Sequence, residues 1–228
     1  MGMTIWTRMA AVAAAALLLA GCLLSPGKFT SNLTVNADRS FDFTYVGEIY
    51  ATDPSDSVPS PDDEKDKAAA AATAAKKQAE VDAKMRAIAE ALSKEQGYRS
   101  VRYVGERKFL VDYRISGRLD HHFTFPFNAD AQAIVPFLMV ELRANGTVRM
   151  KAPGFAAEQA SSQAGGLAGT PAADTNAKLD GVFTLDTDAE IVSQNSEDGA
   201  AAAGARKTIS WRATPLSRDA PTAVLRLR

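Results

Sequence analysis

Between Lys108 and Arg118 the chain reads KFLVDYRISGR, with Phe109, Val111, Tyr113 and Ile115 at every second position and Lys108, Asp112, Arg114 and Arg118 among the residues between. Strand side chains alternate between two faces, so a period of two fits a half-buried strand and not an amphipathic helix. The same alternation runs through Phe29, Leu33 and Val35, then through Phe41, Phe43 and Tyr45, with Ala37-Asp38-Arg39-Ser40 as the turn of a hairpin. It returns at 137–142 and 147–150 around Asn145-Gly146, a dipeptide suited to the positive φ angles of tight hairpins. Segments 182–192, 208–213 and 222–227 add three strand candidates. Odd parity also continues past Ile115 through Leu119, His121, Phe123, Phe125 and Phe127, which predicts a continuous strand with His121 on its aromatic face. Most of the chain is thereby directed to antiparallel sheet.

One block departs from this pattern. Ser60 can cap a helix, Pro61 fits its first turn, Asp62, Asp63 and Glu64 suit the positive end of its dipole, and Gly97 supplies the stop. Between these limits the sequence is Ala-rich, with Glu80/Lys84, Asp82/Arg86 and Glu90/Lys94 at the i, i+4 spacing that supports a helix surface. Only the second half has a core stripe, Val81, Met85, Ile88 and Leu92. That half is expected to pack on a sheet while the Ala-Lys half projects or frays. The stripe is too short to favour a coiled coil. Segments 51–61, with three prolines, 154–178, poor in large apolar groups, and 195–206, around SEDGAAAAGAR, read as flexible excursions. The expected architecture is α+β: a mostly antiparallel sheet with one long helix packed on it, in a single domain over 22–228.

The first 21 residues hold one charge, Arg8, then an apolar run from Met9 to Ala20, which is the layout of a secretory signal and too short to span a bilayer. Leu19-Ala20-Gly21-Cys22 resembles the lipobox of bacterial lipoproteins at every position. The resemblance implies recognition of Leu19, Ala20 and Gly21 by a signal peptidase, cleavage after Gly21, and a diacylglycerol on Cys22, which becomes the first residue of the mature chain. Two or more acyl chains make a durable anchor where one does not. Cys22 is the only cysteine, so no disulfide forms within the chain. Residues 23–28 are expected to tether the domain within about 20 Å of its membrane. Leu23 stands where many inner-membrane lipoproteins of enteric bacteria carry Asp, which tilts the expected location to the periplasmic face of the outer membrane. Losing Arg8 leaves the 27 acidic residues slightly in excess, so the basic surplus of a nucleic-acid binder is missing.

The chemistry-bearing residues are few. His121-His122 is the only histidine pair, with Asp120 beside it, and an envelope hydrolase would begin there. Neighbours in a regular strand point to opposite faces, so the pair cannot chelate one ion, and His121 is expected as a hydrogen-bonded core residue. No phosphate loop, GxSxG elbow or CxxC occurs, and no catalytic residue, metal or cofactor is assigned. Lys108, Arg114 and Arg118, near Arg99, Arg102 and Arg107, could meet anionic head groups, but Glu106, Asp112 and Asp120 favour an ordinary solvated sheet face. Phe123, Phe125 and Phe127 could line a groove for an acyl chain or fill the space beneath the helix, and core filling is the commoner role. In the C-terminal section, GVFTLDTDAEIVSQNSEDG, then KTISWRA closed by Trp211, then PTAVLRLR resembles the corresponding part of LppM-like bacterial lipoproteins. That resemblance implies an anchored α+β domain concerned with lipids, and no binding residue is carried over from it. The expected partners are the membrane through Cys22 and a lipid, amphiphile or envelope protein. The Ala-Lys half of the helix is the alternative interaction surface.

Overall fold

A computed structural model describes residues 23–52, 67–126, 136–157 and 177–227. Leu19, Ala20, Gly21, Cys22, Ser60, Pro61 and Phe127 lie outside them. The elements in chain order are β1 (Leu23–Val35), β2 (Ser40–Thr52), α1 (Lys67–Leu92), β3 (Tyr98–Tyr103), β4 (Lys108–Arg118), β5 (Phe123–Phe125), β6 (Leu138–Leu142), β7 (Thr147–Lys151), a 3-10 turn at Pro153–Phe155, β8 (Asp180–Thr187), β9 (Glu190–Gln194), β10 (Ala200–Ala203), β11 (Arg206–Ala213) and β12 (Thr222–Arg226). The fold is α+β and mostly sheet, but the strands divide into two sheets. The first has the order β10-β11-β8-β1-β2-β4-β3 and the second β5-β6-β7-β12-β9. All pairings are antiparallel except β1 with β8.

The predicted hairpin at Ala37–Ser40 is present, with Leu33 opposite Phe43 and Val35 opposite Phe41. Arg39 takes a positive φ of 75°, and the Asp38 carboxylate accepts from the Ser40 amide at 2.8 Å and its hydroxyl at 2.6 Å. This local turn chemistry fixes the register. In the β6–β7 hairpin Gly146 alone takes positive φ, and Asn145 Oδ1 accepts from the amide and hydroxyl of Thr147.

Four expectations are corrected. The strand expected to run on from Ile115 to Phe127 ends at Arg118; the chain turns at Leu119–His122 and enters the second sheet as β5. Segment 182–192 is likewise two strands in two sheets. Its corner is held by the buried Thr187 hydroxyl, which donates to Val35 O at 2.6 Å and accepts from Ala189 N at 3.0 Å, while Asp188 Oδ1 accepts from Ala37 N. Within 195–206, Ala200–Ala203 pair with β11 as an edge strand, flanked by Gly199 and Gly204 at positive φ. Residues 23–28 are no free tether, since β1 begins at Leu23, opposite Thr52, and Leu24, Ser25 and Pro26 are paired with Ala51, Tyr50 and Ile49. A register shift between Pro26 and Phe29 absorbs the proline within the strand.

The core lies on one face of the first sheet. Phe29, Leu33, Val35, Phe43, Tyr45, Val111, Phe183, Leu185 and Ile209 all point into it and are buried. Two bodies roof that face. The second sheet covers its middle with Phe125, Phe137, Leu138, Val140, Met150 and Leu225. α1 covers the β3 side with Met85, Ile88 and Ala89 buried and Val81 and Leu92 half-buried. Residues 73–80 are exposed throughout, as the missing apolar stripe predicts.

Candidate functional site

The two roofs leave a seam. Where the C-terminal end of α1 approaches β5, the inner face of β4 stays partly open in a cleft of about 320 Å³ lined by Glu95, Gln96, Tyr98, Tyr113, Ile115, His121, His122, Phe123 and Thr124. Each wall has a local cause. α1 unwinds through Ser93, Lys94 and Glu95, whose amides bond back to the carbonyls of Ala89, Ala91 and Leu92. Gly97 follows with φ +94°, and its carbonyl accepts from Arg114 N at 2.8 Å, fastening the helix end to β4. A Cβ at Gly97 would stand 2.5 Å from the Tyr113 ring, so this crossing needs glycine. On the other side Leu119 N donates to Arg39 O at 2.8 Å, the last bond to the first sheet's β1–β2 turn, after which His121–Thr124 lead into β5 along the opening.

The floor is aromatic. Tyr98 meets Tyr113 edge-on with ring centroids 4.9 Å apart, and Tyr113 packs on Phe125 at 4.6 Å. Phe123 lies 5.3 Å from Phe41 and 5.4 Å from Phe43. Burial raises the Tyr98 phenol above its ordinary range, with smaller contributions from Tyr113 and the Glu95 charge; burial and Glu95 raise Tyr113 as well. Both phenols, like any tyrosine below its ordinary value of 10.0, are neutral at physiological pH and able to donate. Neither hydroxyl has a hydrogen-bond partner among the described residues. The rim is polar, with Glu95, Gln96 and both histidines. A floor of rings beneath a few polar groups is how a pocket grips an amphiphile's apolar part and orients its head.

His121 is exposed, not a core residue, because the chain has left the first sheet before reaching it. His122 is exposed too, the two rings standing edge-on at 6.3 Å. Among the described residues no group of three His, Cys, Asp or Glu side chains could hold a metal ion. The cleft lining has Thr124 and two tyrosines as hydroxyl bearers and no serine. Phe123 lines the cleft, whereas Phe125 is core. Three members of the basic face have acidic partners: Lys108 pairs with Glu48 at 3.5 Å, Arg114 with Asp42 at 2.9 Å and Arg118 with Asp120 at 3.5 Å. Tyr113 was placed on the inner face by sequence but not as a site residue, and Tyr98, Glu95 and Gln96 were not singled out; the signal for Tyr98 was Gly-Tyr directly after the helix.

A second concavity of about 510 Å³ surrounds Trp211. Its Asn195 is fully engaged: Oδ1 accepts from Trp211 Nε1 at 3.0 Å and Thr222 N at 2.8 Å, and Nδ2 donates to Ala220 O at 2.9 Å. The Asn and Trp of the C-terminal section thus serve to join β9, β11 and β12.

No protein-family model matches the chain, and no curated protein matches it. Among solved structures it is similar to the folded domain of Mycobacterium tuberculosis LppM, with TM-score 0.37 and 14% identity over 89% of this chain and 91% of that one. It is also similar to an M1 zinc metallopeptidase from Deinococcus radiodurans, with TM-score 0.32 and 9% identity, 89% of this chain covering 42% of that one. Scores this low carry no argument about fold or activity. No helix among the described residues is long and apolar enough to cross a membrane.

Proposed function

We propose that this chain is a bacterial cell-envelope lipoprotein, anchored through Cys22 after cleavage behind Leu19-Ala20-Gly21, whose domain binds a lipid or other amphiphile in the cleft between α1, β4 and β5. The observation that carries the binding reading is the cleft itself: two phenols whose hydroxyls have no hydrogen-bond partner among the described residues, on an aromatic floor under a rim of Glu95, Gln96, His121 and His122. Its volume is at the lower end for ligand pockets, which run from roughly 300 to 1,000 Å³. One acyl chain or a compact amphiphile suits it better than a whole phospholipid. The lipobox supports the anchor, and Leu23 in place of Asp supports the periplasmic face of the outer membrane.

Native mass spectrometry of delipidated protein reloaded with envelope lipids tests the binding. A bound adduct that weakens in Tyr113→Ala and Phe123→Ala is expected; reloading unaffected by either change would remove the cleft as the seat. Cys22→Ser should abolish lipidation and membrane partition, and fractionation of the two membranes checks the location.

The hydrolase reading has one observation in its favour, since His121, His122 and Glu95 share the cleft. Activity on ester substrates lost in both His121→Ala and His122→Ala would revive it. Deleting residues 64–78 tests the helix as a partner surface, and unchanged partner capture would remove that alternative.

A further inference from the structure

Cys22 immediately precedes Leu23, the first residue of β1, so an acyl anchor there is separated from the sheet by one peptide unit of about 3.8 Å. The orientation inferred from this closeness rests on the Cys22 anchor. Without a tether, the end of the sheet that carries Leu23 must face the bilayer, and strand register identifies its neighbours. Leu24 is opposite Ala51, whose amide donates to Arg107 O at 3.0 Å. The β3–β4 turn is thus level with the anchor, two strand spacings or about 10 Å to the side. Val104, in that turn, is an exposed large apolar residue at 44%.

α1 points the same way. Its C-terminal end lies beside Tyr98 and Tyr113, whereas Asp82 accepts from the Tyr103 hydroxyl at 2.5 Å and the Arg86 guanidinium sits 6.0 Å over the Tyr103 ring. The helix therefore runs antiparallel to β3, and residues before Asp82 continue past the strand's end. From Asp82 to Lys67 is about 22 Å at 1.5 Å per residue. From the level of Tyr103, which pairs through Phe109 with Ile49, to Thr52 opposite Leu23 is only three strand residues, about 10 Å. The exposed half of α1 overhangs the edge at which the lipid is attached.

The charges agree with this orientation. Lys28, Lys76, Lys77, Arg102, Arg107 and Lys178 lie at this end or on the overhang, against Glu48, Glu80, Glu106 and Asp180, which leaves a small basic excess. The opposite end carries Asp38, Asp120 and Asp188 interleaved with Arg39, Arg118 and Arg206, so it has no basic excess. We propose that this end is a second, protein-borne membrane contact: the turn at 104–107 and the exposed half of α1 rest on the anionic phospholipid head groups of the bilayer that holds Cys22, fixing the domain's orientation. Basic side chains near such a surface strengthen the contact, and salt screens it.

The test uses the acylated mature protein in phosphatidylglycerol-rich vesicles. The sulfur of Cys22 is occupied by its lipid, so Val104→Cys and, at the opposite end, the exposed Asp120→Cys each present one thiol for a fluorophore. Head-group spin labels should quench the Val104 probe several-fold more than the Asp120 probe, with the contrast shrinking in phosphatidylcholine vesicles and in Lys76→Glu/Lys77→Glu. In the unsubstituted anchored protein, amides 73–80 should exchange more slowly on vesicles than in detergent. Equal quenching at the two ends, a contrast indifferent to anionic lipid, or unchanged exchange overturns the contact. If mass spectrometry finds no acyl group on Cys22, the anchor reading and this one fall together; an acylated protein with equal quenching sinks only this one.

Discussion

The two roofs over the first sheet are built from different material. Beneath the second sheet, Phe125, Phe137, Phe155 and Phe183 are almost completely buried and form a continuous chain of ring contacts with Tyr45 and Phe29. The α1 roof contributes Met85, Ile88 and Ala89, an unbranched, a β-branched and a small side chain, and no ring. These rings converge from β5, the residue before β6, the 3-10 turn and β8, while a mostly Ala helix brings one short stripe. The tight roof supplies stability, and the looser one leaves the cleft at its edge.

Substitutions in each roof put this contrast to the test. Phe125→Ala should cost about 3–5 kcal/mol, and Ile88→Ala nearer 2 kcal/mol, by urea titration; equal costs would erase the distinction. Tyr45→Phe comes next. The Tyr45 hydroxyl, fully buried, donates to Glu48 O at 2.8 Å, so its removal should cost about 1–3 kcal/mol. Gly97→Ala must strain a positive φ and displace Tyr113, with a loss of more than about 1 kcal/mol and weaker amphiphile binding in the same variant. A variant that loses stability but binds unchanged would detach the cleft from the helix end.

The smallest effects concern pH. Asp82 is held below its ordinary carboxylate range, chiefly by the Tyr103 hydroxyl, and Tyr103 is raised, by burial first and then by Asp82. The lowered acid contributes stability present above its unfolded value of 3.8 and lost as pH falls through the folded value. The raised phenol contributes stability present below 10.0 and lost as pH rises through its own folded value. The protection of α1 amides, taken relative to their intrinsic exchange rate at each pH, should therefore fall at both extremes. Tyr103→Phe should flatten the acid limb and leave the second sheet's amides unmoved. The alkaline limb should persist through Tyr98 and Tyr113, which burial also raises.

Much of the fold was legible because it is local. Leu33 against Phe43, the Asp38 turn, the Gly146 hairpin and the Met85–Ile88 stripe each follow from residues a few positions apart. The cleft was half legible: the parity of Phe109 to Ile115 set Tyr113 on the inner face, but His121 was misplaced because parity says nothing of a corner. Leu119 and Thr187 make corners through hydrogen bonds to Arg39 O and Val35 O, partners far away in sequence.

Strand faces, the helix with its bare half, and the likeness of residues 19–22 to a lipobox are all written in the order of residues, since periodicity and short motifs are properties of neighbours. The division into two sheets, the start of β1 directly after Cys22 and the seam over Tyr98 and Tyr113 emerge only once the chain is folded. Those features depend on which distant strand a segment joins, and that choice is made by packing among groups far apart along the chain.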